Sequence, residues 1–224
     1  VTDLISWFTD PANWSGSNGI PVRVGEQLAI TLVAVAIAAL IALPLGISSG
    51  HINRFGGTVM NIANLGRAIP TFALLLLFAS ISAIGVGFSA AVLALILFAI
   101  PPMVTNAYTG IRSVNESVRT AGRGMGMNSG QLLRFVELPL ATGLIAAGIR
   151  TAVVQTTATS TLAALVGGGG LGRYILDGFG LQNTTLVFAG IILVAALTGI
   201  MELVMAGVQR RVQPQGVPRA VTVG

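Results

Sequence analysis

The chain has 224 residues, of which 54% are hydrophobic and only 8% charged; a soluble domain carries roughly 25% charged residues, so this composition belongs to an integral membrane protein with one membrane domain. Its basic residues are twelve arginines with no lysine, against seven acidic residues, one histidine and no cysteine, which excludes a disulfide framework, a thiolate nucleophile, a Schiff base and a Walker-type lysine on this chain. The arginines are scattered through loops between apolar runs, so the formal charge of +5 reflects membrane topology and gives no reason to expect nucleic acid.

Residues 1–23 mix Ile5, Trp7, Phe8 and Trp14 with Asp3, Asp10, Pro11 and a Ser/Gly/Asn cluster. Tryptophans near a first span sit at the headgroup level, which predicts an external interfacial segment; a disordered tail is the alternative. Residues 24–209 form the transmembrane domain and 210–224 a tail. A run of about 20 apolar residues crosses a bilayer as a helix, and five spans are expected at 26–48, 58–84, 88–110, 140–165 and 185–208. Pro70 interrupts the second, and Pro101 and Pro102 the third, where each removes a backbone bond and kinks the helix. No basic leader precedes the first span, so it is expected to stay in the membrane. The fold class is all-α, a polytopic membrane protein.

With the N-terminus outside, Arg54, Arg112, Arg119, Arg123, Arg134, Arg210, Arg211 and Arg219 fall on the cytoplasmic side. Only Arg23 and Arg173 are then external. Positive charge concentrates in cytoplasmic loops, so the chain is expected to run N-out, C-in, with the loop 112–139 in the cytoplasm of a cell that holds it in its inner or plasma membrane.

That loop is the main polar interruption. Ser113 and Glu116 have the S-x-x-E form of a capping box and predict a helix start. Val118, Ala121, Gly122 and Met125 then fall at i, i+3, i+4 and i+7, one small apolar face, with Glu116, Arg119, Thr120 and Arg123 on an opposite, solvated face. Gly122, Gly124 and Gly126 each weaken a helix by about 1 kcal/mol relative to Ala, so this helix needs support from another surface. Asn128 or Ser129 caps a second short helix, which Pro139 helps to end.

Three ionisable residues, Arg67, Arg150 and Glu202, lie within the spans. At 1.5 Å per residue each is roughly 10–15 Å deep from the cytoplasmic side. Such charges pair or face water, so Glu202 is expected to neutralise Arg150 or Arg67; arginines that merely snorkel are the alternative. The fourth span carries Gln155, Thr156, Thr157, Thr159, Ser160 and Thr161, more polar groups than local helix bonding needs, and is the expected lining of a translocation path through Gln155, Thr156, Thr159 and Ser160. His51 reads as a solvated residue of the turn after the first span. With one histidine and dispersed carboxylates, neither a metal site nor a catalytic pair assembles. Gly167, Gly169 and Gly172 formally satisfy G-x-G-x-x-G, but the run follows a span and not a strand, so a tight external turn is expected instead.

The loop resembles the signature of permease subunits of binding-protein-dependent ABC importers: Thr120, Ala121, Gly122, three residues, Gly126, nine residues, then Val136, Glu137, Leu138 and Pro139. Thr120 stands where the family has Glu, and Gly122 where it has its second Ala. LPLGI at 43–47, RAIPTFALL at 67–75, PPMVTNAYTGI at 101–111 and ATSTLAALVGGGGLG at 158–172 look like the osmoprotectant branch, which imports glycine betaine, choline, carnitine and related solutes. The resemblance implies a type I importer permease whose loop is a coupling helix. It implies docking on an ATPase through Val118, Thr120, Ala121, Gly122, Met125, Gly126, Leu138 and Pro139, and a glycine run on the side that meets the solute receptor. It implies cytoplasmic ATPase subunits, a second permease subunit (identical or homologous) and an external solute-binding protein as partners. ATP and Mg are then bound on the partner ATPase, with no cofactor on this chain, which is not itself an enzyme. The rival reading is a stand-alone carrier or channel; an ion-coupled carrier shows inverted halves and several intramembrane carboxylates, whereas this chain offers one such carboxylate and no evident symmetry.

Overall fold

In the computed structural model, which describes residues 2–52 and 56–213, every regular element is helical. Helix α1 (Thr2–Thr9) and a 3₁₀ turn (Pro11–Trp14) lead into α2 (Ile20–Ile52). Helices α3 (Gly56–Ala68), α4 (Thr71–Ser80) and α5 (Phe88–Arg112) follow. The polar loop forms α6 (Glu116–Gly124) and α7 (Ser129–Leu132); α7 runs through a π-helical turn (Leu133–Glu137) into α8 (Leu138–Thr159) and a 3₁₀ segment (Ser160–Val166). Helices α9 (Gly172–Gly180) and α10 (Thr184–Val212) complete the described chain. Arg54, Arg219 and most of the tail 210–224 lie outside the described residues.

Four stretches are single helical runs long and apolar enough to cross a membrane: α2, α5, Ser129–Val166 and α10. A fifth span exists if α3 and α4 count as one, although they meet at a bend of 80°. Proline disfavours the helical region for the residue before it, and here the break falls at Ile69 and Pro70. The helices outrun the sequence estimates because polar residues such as Arg23 and His51 prolong them past the apolar stretch.

Helix α5 is the centre of the bundle, packed against α2, α3, α4 and α8, while α10 packs on α8 and α9. In lipid, helices associate where small residues let backbones approach. A Cβ on Gly46 would stand 2.7 Å from the Val104 carbonyl oxygen, and one on Gly148 2.6 Å from Asn106 Cβ. Helix α5 continues through Pro101 and Pro102, both buried. Pro102 nevertheless leaves the Phe98 carbonyl without its helical donor, and the Asn106 side-chain amide donates to the Pro102 carbonyl at 2.8 Å.

At the end where α2 begins, α1 folds onto the bundle: Trp7 meets Tyr174 edge-on at 5.4 Å, and the Tyr174 hydroxyl donates to the Asn18 carbonyl at 2.6 Å. Burial pushes the Tyr174 phenol up from its ordinary range, which keeps it a donor. The glycine run follows a 3₁₀ helix and turns sharply, with φ of +77°, +81° and +80° at Gly167, Gly169 and Gly170. The Gly170 N–H donates to Glu26 Oε2 at 2.8 Å and the Leu171 N–H to Gln27 Oε1 at 3.0 Å.

Candidate functional site: the polar segment and a membrane cavity

The polar segment is held at the opposite end of the bundle. Helix α6 is capped by Asn115, whose side chain accepts from the Ser117 N–H at 2.9 Å, and not by Ser113. Ser113 ends α5 instead, its hydroxyl donating to the Gly110 carbonyl at 2.8 Å. The α5 helix runs two residues past the expected span, to Arg112, and the cap moves along the chain with it. Gly126, at φ +85°, closes α6: its N–H donates to the Arg123 carbonyl and that of Met127 to the Gly122 carbonyl, a Schellman ending that favours glycine. Asn128 and Gln131 form a reciprocal capping box on α7. Pro139 does not end this second helix; it lies in the first turn of α8, where its missing N–H is tolerated.

Val118, Thr120, Ala121 and Met125 point outward, Met125 with 73% of its surface free. Gly122 turns inward, where a Cβ would stand 2.9 Å from Leu132 Cδ1. Arg119, expected on a solvated face with Glu116 and Arg123, is only 3% exposed. Glu116 and Arg123 do pair in water, at 3.1 Å; Arg119 instead serves the interior. Its Nη2 donates to the Ile111 carbonyl at 2.5 Å, and its Nε lies 3.3 Å from Glu137 Oε1.

Glu137 is 1% exposed and is shared. His51 Nδ1 stands 2.5 Å from its second oxygen, and His51 Nε2 2.7 Å from Ser129 Oγ. The lone histidine is therefore no solvated turn residue; it ends α2 and reaches across to the start of the fourth span. The π-helical turn makes this possible. The Leu138 N–H donates to the Leu133 carbonyl, five residues back, and this wider pattern brings residues five apart onto one side, so Leu132 and Glu137 both face inward. The result ties α6 to the ends of α2 and α5 and to the start of α8.

Within the spans, Glu202 meets Arg150: Arg150 Nε donates to Glu202 Oε2 at 3.0 Å, Nη2 contacts Oε1, and Nη1 donates to Gln209 Oε1 at 3.0 Å. Arg67 is left apart. Among the described residues its one hydrogen bond goes to Thr105 Oγ1 at 3.3 Å. Arg67 opens on a cavity of about 550 Å³ lined also by Phe98, Asn106, Thr151, Gln155 and Thr159. Of the fourth-span residues expected on a path, Gln155 and Thr159 line this cavity. Thr156 and Ser160 are fully buried; from α2, Thr31 donates to Ser160 Oγ at 3.3 Å and the Gln27 amide to the Thr157 carbonyl at 2.9 Å. Hydroxyls here serve partly as glue between helices.

Periodicity alone missed Arg119, His51 and Glu137 as a group. A signal was present: Glu137 is a carboxylate set among Phe135, Val136, Leu138 and Leu140, which only a partner makes tenable.

Residues 42–214 match the family described as binding-protein-dependent transport system inner membrane component. The chain belongs to this family. It is similar to the glycine betaine/carnitine/choline transport system permease protein OpuCB of Bacillus subtilis, with 37% identity over 87% of this chain and 88% of that protein. The choline transport system permease protein OpuBB of the same organism is 38% identical over the same shares. The osmoprotectant import permease protein OsmW of Salmonella typhimurium is 33% identical over 96% of this chain and 99% of that protein. A solved inward-facing chain of the MetNI methionine ABC transporter superposes with a TM-score of 0.77, at 24% identity, covering 92% of this chain and all of that one. The fold is thus that of an importer permease, and the chain is a multi-pass membrane transport component.

Proposed function

We propose that this chain is the permease subunit of an ATP-driven importer for a small osmoprotectant, a betaine, carnitine or choline-type solute. The observation that carries this reading is α6, a polar helix that offers Val118, Ala121 and Met125 to a partner while Arg119 fastens it to the bundle. The names of the curated relatives support the solute class. ATP and Mg are bound by cytoplasmic ATPase subunits, an external binding protein delivers the solute, and a second permease subunit closes the half-open cavity beside Gln155 and Thr159.

The orientation is N-out, C-in. Arg112, Arg119, Arg123, Arg134, Arg210 and Arg211 gather at the α6 end and Arg23 and Arg173 at the other, as cytoplasmic positive charge requires. Nucleotide-driven closure of the ATPases moves α6, and the tie through Glu137 passes that movement to α2, α5 and α8. An ion-coupled carrier is disfavoured because Glu202, well inside α10, is already engaged by Arg150.

The test is a pull-down of the tagged chain from solubilised native membranes, wild type beside Ala121→Asp. A charge placed in the docking patch is expected to weaken ATPase capture about 30-fold, the effect of losing a hot spot of about 2 kcal/mol, while the spans remain inserted. A chain recovered alone that moves solute in liposomes without ATP would sink the importer reading.

A further inference from the structure

The two intramembrane arginines at the cavities are treated differently. Arg150 is neutralised by Glu202 and satisfied by Gln209. Arg67 enters none of the ion pairs among the described residues, and the residues outside the description include no Asp or Glu. A guanidinium has five N–H donors; among the described residues that of Arg67 uses one. Arg67 lies eleven residues beyond the start of α3, about 16 Å along the axis at 1.5 Å per residue, at the mouth of the 80° break in the second span. A cation at that depth must face water or an anion. The cavity it faces holds no acidic residue among its lining; its other polar groups, Asn106, Thr151, Gln155 and Thr159, are neutral, and Phe98 supplies its aromatic surface. Its volume of about 550 Å³ suits a small molecule.

We propose that Arg67 is the anion-holding point of a solute subsite inside the permease. It takes the carboxylate of a zwitterionic solute through the planar fork that matches carboxylate geometry, and it repels a solute that carries a cation and no carboxylate. The inference rests on the importer reading. It adds that this subunit discriminates along the path, downstream of any external receptor.

The experiment uses the complete importer in proteoliposomes, with ATP-dependent uptake of labelled glycine betaine and labelled choline measured at saturating external solute, so that the receptor is full for both. In Arg67→Gln the maximal rate for glycine betaine is expected to fall about tenfold or more relative to choline, the loss of a charge-assisted hydrogen bond, and Arg67→Lys restores part of it. Asn106→Asp sets a carboxylate beside Arg67 and is expected to lower the betaine-to-choline ratio in the same direction; it decides the matter if Arg67→Gln does not assemble. Equal losses for both solutes, or an unchanged ratio in both variants, overturn the subsite. A lipid phosphate is the other anion that Arg67 could hold. In that case the Arg67→Gln effect follows the phosphatidylglycerol content of the vesicles and is the same for both solutes, which also overturns it. If the wild type shows ATP-dependent uptake of neither solute, the osmoprotectant-importer reading falls and the subsite falls with it, whereas uptake with no change in ratio removes the subsite alone.

Discussion

Two carboxylates, Glu26 and Glu137, fasten opposite ends of the bundle by different means. Glu26 lies near the start of α2, about a third exposed, and accepts from Arg23 of its own helix and from the Gly170 backbone N–H, both at 2.8 Å. Glu137 is buried at the start of the fourth span and takes side chains from α6 and α2. A backbone donor in a turn is fixed in place, so the Glu26 contact clamps the turn and little else. A guanidinium on a short surface helix is different: Arg119 also grips the end of α5, so a displacement of α6 reaches the ends of α2, α5 and α8 together. A clamp suits a mouth that needs one shape, and a shared ion pair suits a helix that passes on movement.

The comparison breaks most visibly at Glu137. Glu137→Ala leaves Arg119 buried without its ion partner, and removing one member of a buried pair costs about 3–5 kcal/mol. The expected result is a large drop in the thermal midpoint of the detergent-purified chain and loss of ATPase capture. The double variant Arg119→Met/Glu137→Met recovers part of the stability, because apolar residues of similar volume replace the buried pair at little cost while His51 still loses its carboxylate and the Ile111 carbonyl its Arg119 donor; the coupling is not recovered. A double-variant loss equal to the sum of the Arg119→Met and Glu137→Met losses would show that the two residues do not act on each other.

At the other end the effect is smaller and local. Gly170→Ala puts a side chain at φ +80°, with its Cβ 2.7 Å from Gln27 Oε1; the left-handed region alone costs about 1–2 kcal/mol. Amide exchange at 167–171 is expected to quicken while ATPase capture stays at the wild-type level. Loss of capture would mean that the two ends are not independent.

Tyr174→Phe is the mildest change, removing one hydrogen bond for about 1 kcal/mol. Because burial raises the folded phenol above its unfolded value, the protonated group's contribution is complete below about pH 10 and is lost as the pH climbs through the folded value. The wild type therefore destabilises in strong alkali more steeply than Tyr174→Phe, a difference readable in paired thermal melts.

Much of this molecule is written in its local chemistry. Apolar run lengths place the spans, Pro70 breaks the second one, and the glycine run makes a turn, because each of these follows from backbone geometry or from transfer of a single segment into lipid. The outward set Val118, Ala121 and Met125 is likewise readable from helical spacing. What failed was the inward face. Spacing put Gly122 with that set and Arg119 with the solvated one, yet packing on the Leu132 side chain and the carboxylate of Glu137 turn both inside. Ser113 lost its cap to Asn115 because α5 did not stop where hydropathy alone suggests.

The sequence by itself determined a helical membrane protein, the number and rough extent of its spans, and the family signature in its polar loop, since these depend on residues adjacent in the chain. Only the tertiary structure decided that Glu202 goes to Arg150 and leaves Arg67 facing a cavity, that Thr156 and Ser160 serve packing while Gln155 and Thr159 face open space, and that His51, Arg119 and Glu137 meet. Those outcomes depend on helix rotation and on a π-helical turn that reorients one side chain. Both are set by the packing of neighbouring helices, which residues 52, 38 and 86 positions apart in the chain do not announce.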